Sequence, residues 1–259
     1  MTYQDQIGQT LHFTNCPNRI ISLVPSQSEF LWDLGLREEL VGITKFCVQP
    51  EEMFRSVERV GGTKDLHLEK IRALKPDLII ANKEENDALQ IRTLQSEFNV
   101  WVSDIIDFNG AYAMMLSLGE ILNRQEAAQE MVDSIKAQLS GIKKTMPSGK
   151  VAYFIWNNPY MLAAKNTFID FVITEIGFTN AVEHLERYPV LSPEELMVLQ
   201  PDFCFLSSEP FPFNAQHAEA IQQLLPHAKV IQVDGEMFSW YGSRLKHLPA
   251  YLKTLKLLL

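Results

Sequence analysis

Short apolar runs alternate along the chain with segments whose apolar residues recur at helical spacing. Runs at residues 19–24, 40–44, 77–81 and 99–102, and again at 150–155, 202–207 and 229–233, have strand length and are largely apolar at consecutive positions rather than at every other one. A strand that is apolar on both faces is buried on both, as in a parallel sheet covered by helices. The intervening helical segments supply that cover, so the pattern predicts an α/β chain built of Rossmann-like lobes with parallel sheets. In the first helix, Ser26 and Glu29 have capping-box spacing. Trp32 shares apolar spacing with Phe30 and Leu36 and is assigned to the core.

From residue 110 to 145 the pattern is helical throughout and ends in the breaker cluster Met146-Pro147-Ser148-Gly149. This is too long for a crossover helix and reads as one long connector helix. It divides the chain into an N-terminal α/β lobe at 1–109, the connector at 110–146, and a C-terminal α/β lobe at 147–259. A chain of 259 residues suits two such cores. The lobes also share a repeat, because Glu69-Lys70-Ile71-Arg72-Ala73-Leu74-Lys75-Pro76-Asp77 aligns with Glu194-Glu195-Leu196-Met197-Val198-Leu199-Gln200-Pro201-Asp202 at an offset of 125 residues. The same offset carries Glu84 onto Glu209, each just past a strand, so each lobe presents an acid at an equivalent position.

Open parallel sheets bind ligands beyond the carboxyl ends of their strands. In the first half those positions hold Ser26, Phe46, Thr63-Lys64 and Asn82-Lys83; in the second they hold Trp156-Asn157-Asn158, Ser207-Ser208 and residues 237–241. Trp156, Tyr160, Trp240 and Tyr241 offer large flat faces with polar edges, which suits a planar or macrocyclic ligand. Arg244 is placed to meet an acidic group on it. These residues, with Ser26 and Phe46, form the expected ligand site.

Composition narrows the function. The chain carries 23 Lys and Arg against 32 Asp and Glu, a formal charge of −9, with no basic cluster to follow a phosphate backbone. Nucleic acid is excluded as a partner, and the charge suits a soluble monomer. The three cysteines show no metal or disulfide spacing, and Cys204 reads as packing. The six histidines show no pair three or four residues apart, and no nucleophile elbow, phosphate loop or zinc-protease motif is present. No catalytic residue, metal ligand or catalytic cofactor is assigned. No segment approaches the roughly twenty apolar residues that span a bilayer, and Met1-Thr2-Tyr3-Gln4-Asp5-Gln6 carries neither a signal-peptide pattern nor a lipid-anchoring Cys.

Several of these segments resemble the helical-backbone (class III) substrate-binding proteins of ABC importers, whose members take vitamin B12, ferric siderophores or haem. The resemblance rests on Arg19-Ile20-Ile21-Ser22-Leu23-Val24-Pro25-Ser26, on Val60-Gly61-Gly62-Thr63 followed by Leu68-Glu69-Lys70-Ile71, and on Leu74-Lys75-Pro76-Asp77-Leu78-Ile79-Ile80-Ala81. In the second half it rests on Asn166-Thr167-Phe168-Ile169 with Gly177 and Asn180, and on Leu206-Ser207-Ser208-Glu209-Pro210. It spans nearly the whole chain. It implies two lobes joined by a rigid helix, a bulky metal chelate held in the cleft between them, a membrane permease as partner, and no catalysis.

The resemblance also implies one surface Glu per lobe docking onto permease arginines, a role given to Glu84 and Glu209, with Glu85 adjacent. The aromatic site is closer to the cobalamin branch than to the siderophore branch, whose anionic chelates require more basic residues. A corrinoid is therefore the expected ligand, with siderophore and haem as alternatives. The family implies a periplasmic or cell-surface location. The missing leader leaves two readings open: a leader removed from the sequence, or an intracellular chelate carrier or enzyme on the same scaffold.

Overall fold

The computed structural model describes residues 1–259, and the chain divides into two compact units. The first comprises Met1–Ile135 and Tyr241–Arg244, and the second Lys136–Trp240 and Leu245–Leu259.

In the first unit the elements run β1 (Thr2–Gln4), β2 (Thr10–His12), β3 (Ile20–Ser22), α1 (Pro25–Asp33), β4 (Leu40–Ile43), α2 (Glu51–Ser56), β5 (Glu58–Arg59), α3 (Leu68–Leu74), β6 (Leu78–Asn82), α4 (Ala88–Gln95), β7 (Val100–Ser103), α5 (Phe108–Ile121) and α6 (Gln125–Leu139). Five strands form one sheet in the order β5-β4-β3-β6-β7, parallel throughout, and β1 and β2 form a separate antiparallel hairpin. The consecutive apolar positions of β3 and β6 are fully buried, as expected of central strands covered on both faces. Ile21, Ile79, Ala81, Val100 and Val102 pack with Ile71 and Leu94 of the flanking helices. Each fully buried Ile or Leu stabilises the fold by about 1.5–3 kcal/mol.

The second unit continues with β8 (Lys150–Trp156), β9 (Tyr160–Leu162), α7 (Phe168–Ile176), β10 (Thr179–Asn180), β11 (Val190–Leu191), α8 (Pro193–Leu199), β12 (Phe203–Ser207), α9 (Ala215–Leu224), β13 (Lys229–Val233), α10 (Glu236–Ser239), a 3-10 turn (Ser243–His247) that begins within the first unit's segment, and α11 (Leu248–Leu258). Its sheet follows the order β11-β9-β8-β12-β13, with β10 also on β8. Here β8, β12 and β13 are parallel, but β9 runs antiparallel to β8, so the second sheet is mixed rather than purely parallel as expected. Only Asn157, Asn158 and Pro159 separate β8 from β9. A connection that short can return a strand only antiparallel, because a parallel neighbour needs a crossover of a dozen or more residues.

Two further expectations are corrected. The single connector helix is two helices, α5 and α6, interrupted at residues 122–124, where Asn123 adopts φ 53°. Asn tolerates this left-handed conformation better than most residues. Gly119 lets the helices approach so closely that a Cβ there would stand 2.4 Å from the Ala128 Cβ. The boundary between the units falls inside α6. The capping box of Ser26 and Glu29 is also absent: Pro25 opens α1 and the N-cap is Val24, with no side-chain cap. That places both residues inside the helix, where Pro at N1 removes one of the unpaired N–H groups a cap would serve.

The internal repeat is a repeat of structure. At the same offset of 125 residues, α3 (Leu68–Leu74) corresponds to α8 (Pro193–Leu199), and β6 (Leu78–Asn82) to β12 (Phe203–Ser207). Both helices end on a non-glycine residue in the left-handed region, Lys75 at φ 47° and Gln200 at φ 45°. The next Asp ties each turn to the first strand of its own sheet. Asp77 accepts the N–H groups of Asn18 and Arg19 at 2.9 Å, and Asp202 accepts that of Lys150 at 2.7 Å. The basic side chain in each place then donates to the end of the helix, Arg19 to Leu74 O and Lys150 to Leu199 O. Cations suit the negative end of a helix.

Candidate functional site

The carboxyl ends of the strands in the first unit are occupied by a buried polar network. Asn82, the last residue of β6, accepts the N–H groups of Glu84 and Glu85 at 2.8 and 3.0 Å through Oδ1 and donates to the Ser103 hydroxyl at 3.0 Å. Gln27 donates to the same hydroxyl, and Asn86 joins Leu23 O to Thr63 O through its amide. Lys64 donates to Glu84 O and Asn86 O. Such networks rigidify a site when their members are satisfied. Ser26 is buried at the start of α1. Phe46, in the loop after β4, is half exposed, with the Lys45 ammonium 5.2 Å from its ring centroid and its edge close over Gly62.

Tyr241 and Arg244 belong to this unit and are not open to a ligand in the manner expected. The Arg244 guanidinium forks onto Glu29 at 2.7 and 2.8 Å, with side-chain exposures of 12% and 11%. A bidentate pair is the strong form of this interaction, and it accounts for the carboxylate freed from any cap. Tyr241 is 4% exposed and donates to Glu85 Oε1 at 3.2 Å. Burial, followed by the Glu85 charge, pushes its phenol well above the ordinary range. Gly242 turns at φ 103° against Phe30 and Ser26 O, where a Cβ would be crowded. The Cys47 thiol near Ser28 and Thr44 is buried and pushed up to about 11, so it packs rather than reacts.

In the second unit the strand ends carry aromatic side chains. Trp156 closes β8 and remains 40% exposed, with its indole N–H on Asn158 O at 3.2 Å and its ring 5.4 Å from that of Phe211. Tyr160 is the first residue of β9 and stands edge-on to Phe154 at 6.0 Å, partly buried. Trp240 departs from expectation: it is 5% exposed, and its indole N–H donates to Glu209 Oε1 at 2.7 Å. The Ser239 hydroxyl donates to the same oxygen at 2.8 Å. Gly235 makes this packing possible, because a Cβ there would lie 2.3 Å from Ser207 Oγ and 2.8 Å from Glu209 Cγ.

Ser207 accepts the Glu209 N–H at 3.4 Å, the counterpart of Asn82 and Glu84. Both acids are half-buried. The repeat contains a second pair of acids, Glu69 and Glu194, in the first turns of α3 and α8. These are exposed, Glu69 with 89% of its side chain in solvent.

An open groove of about 510 Å³ lies at the opposite, amino-terminal end of the second sheet, beside Lys150, Glu183, His184 and Val198. Its buried polar side chain, Asn180, is spent on Ala163 O, Asp170 and the Val182 N–H, and the groove holds none of the aromatic faces. No helix is long and apolar enough to cross a membrane.

Sequence reasoning missed Phe211, His217, Glu29 and the amide network. Phe211 had a usable signal, since Pro210-Phe211-Pro212-Phe213 places two rings directly after a strand. Glu29 had none, because its partner stands 215 residues away.

The two repeated α/β units with loop clusters at their strand ends have counterparts among known proteins. A family model described as periplasmic binding protein matches residues 20–232. This chain belongs to the periplasmic binding protein family. Within the family it is 26% identical over 264 residues to an uncharacterized ABC transporter substrate-binding lipoprotein of Bacillus subtilis, covering 95% of this chain and 82% of that protein. It is 29% identical over 213 residues to the vitamin B12-binding protein of Vibrio campbellii, covering 80% and 77%. The fold is shared with the periplasmic vitamin B12-binding protein BtuF of Vibrio cholerae, at a TM-score of 0.73 and 23% identity over 92% of this chain and 98% of that one. It is also shared with a periplasmic heme-binding protein of Pseudomonas aeruginosa, at a TM-score of 0.78 and 22% identity over 93% and 92%. The expected family and α/β fold class are thereby shown.

Proposed function

We propose that this chain is the substrate-binding component of an ABC importer and that it captures a bulky metal chelate, a corrinoid in the first instance. Trp156 carries the reading. It is a large apolar ring at the carboxyl end of a central strand, exposed yet held in place, and ligand sites of α/β sheets form at such ends. Phe46 offers a second exposed ring at the corresponding end of the first sheet. The relatives named for vitamin B12 support the corrinoid, and the similarity in fold to heme-binding proteins makes haem the competitor. Tryptophan-fluorescence and calorimetric titrations with cyanocobalamin, cobinamide, hemin and a ferric hydroxamate test it. Saturable one-to-one binding of a corrinoid, weakened by Trp156→Ala, is the expected result; binding of hemin alone would move the assignment to haem.

For docking on a permease, exposure favours Glu69 and Glu194 over Glu84 and Glu209. Both pairs obey the repeat, but the carboxylate of Glu209 is half-buried and taken by Trp240 and Ser239, whereas Glu69, though paired with Arg72, and Glu194 are exposed to solvent. The Glu194 carboxyl is held below its usual range by its own backbone N–H and the Ser192 hydroxyl, which keeps it ionised. Exposed acids can steer and register an encounter with arginines. A pull-down with the cognate permease is expected to lose binding for the Glu69→Ala, Glu194→Ala double variant and to keep it for Glu84→Ala. The reverse pattern would return the role to Glu84 and Glu209.

A further inference from the structure

Trp156 is open to solvent yet contacted on two sides. One side is fixed by the indole N–H on Asn158 O, and a ring edge is fixed by Phe211, with centroids 5.4 Å apart and planes at 61°. Phe211 is gripped in turn by Phe213 at 4.9 Å and His217 at 5.0 Å, both in edge geometry. His217 cannot swing away cheaply, because its Nδ1 accepts the Asn214 N–H at 3.1 Å in the capping box that opens α9. A line of contacts thus runs from a helix cap, through two rings, to an exposed indole. Stability alone does not require this arrangement, since an indole left 40% exposed recovers only part of the benefit of burial.

We propose that Phe211, braced by His217, is a positioning residue that sets the Trp156 ring for stacking against the flat conjugated face of the ligand. The inference rests on the binding reading above and adds to it the means by which affinity is secured. A ring already fixed by its neighbours loses little rotamer freedom when a ligand arrives, so the ordering cost falls on folding rather than on binding. Offset and edge contacts between rings also hold orientation better than aliphatic packing does. Leu at position 211 fills much of the space but supplies no ring edge, whereas Tyr supplies the same edge.

The test combines two readouts on the intact chain. The near-ultraviolet circular dichroism of Trp156 is isolated among the four tryptophans as the difference between the wild type and Trp156→Phe. Affinity is measured calorimetrically with cyanocobalamin and hemin as probes. Phe211→Leu is expected to collapse the Trp156 band and weaken probe binding about three- to tenfold, the range that one aromatic pair commands. Phe211→Tyr is expected to retain both. A Phe211→Leu protein with its band intact would overturn the proposal, as would equal losses in the Leu and Tyr variants, which would mark Phe211 as mere filling. A wild type that binds neither probe would sink the chelate reading, while the band would still decide whether Phe211 sets the ring.

Discussion

The two units carry one supersecondary design but differ in what surrounds the repeated strand. Around β6 the strand ends are lined by Gln27, Asn82, Asn86 and Ser103, and Glu29 of α1 is paired with Arg244 of the 3-10 turn. Around β12 the interior is aromatic: Phe238 lies 5.2 Å from Tyr153, 6.1 Å from Phe205 and 6.1 Å from Tyr251. What stays common is the backbone device, comprising a left-handed residue, a Pro, and an Asp that ties the turn to the first strand. The contrast shows that the repeat is preserved in its turn chemistry, while each core is free to find its own way of filling space. A hydrogen-bonded network at the strand ends holds shape by direction, and aromatic packing holds it by volume.

The largest effects should come from attacking each interior in its own currency. Glu29→Ala and Phe238→Ala should each cost about 3–5 kcal/mol in urea unfolding, one by leaving a buried guanidinium without its partner and the other by opening a cavity. They should differ in rescue: Glu29→Met with Arg244→Met should recover much of the loss, whereas no second change beside Phe238 should. If the Met pair is no better than Glu29→Ala, the charge pair is not what holds that segment. Next in size, Asn82→Ala should cost about 2–3 kcal/mol because two N–H groups lose their acceptor. Ser207→Ala should cost about 1–2 kcal/mol, since the buried Tyr153 O–H and the Glu209 N–H both lose their acceptor.

The shared device predicts matched effects. Asp77→Ala and Asp202→Ala should each destabilise by about 1–2 kcal/mol, and a large inequality in differential scanning calorimetry would show that the repeat is only one of shape. Smallest of all, Lys75→Gly and Gln200→Gly should each stabilise by up to ~1 kcal/mol, since glycine removes the left-handed strain at some cost in chain entropy. Thermal melts of the two variants should shift in the same direction.

Local chemistry made much of this legible in the sequence. Consecutive apolar residues disclose β3, β6, β8 and β12, and the matched Pro-Asp segments disclose the repeat. The failures occurred where a local signal was outweighed or absent. Helical periodicity runs unbroken past Asn123, so the helix break rested on one residue's tolerance of positive φ and on the close approach at Gly119. Aromatic residues after strands read as open faces. Trp156 is one, but Trp240 and Tyr241 are buried, because their polar edges find Glu209 and Glu85. Nothing in a linear pattern reveals that a Trp has an acid waiting for its N–H. The Glu29 partner of Arg244 is equally hidden from a linear pattern, since it lies in the first helix.

The four-residue segment Tyr241–Arg244 has a consequence for how this protein can be taken apart. Its residues belong to the first unit, although they are reached only after nearly the whole second unit has been synthesised. A gene truncated at codon 135 would encode a fragment whose Glu29 carboxylate and Phe30 face await a peptide that never arrives. On the ribosome the first unit must therefore wait, incomplete, for its last piece. Any modular exchange or circular permutation that aims to keep it whole must carry those four residues along.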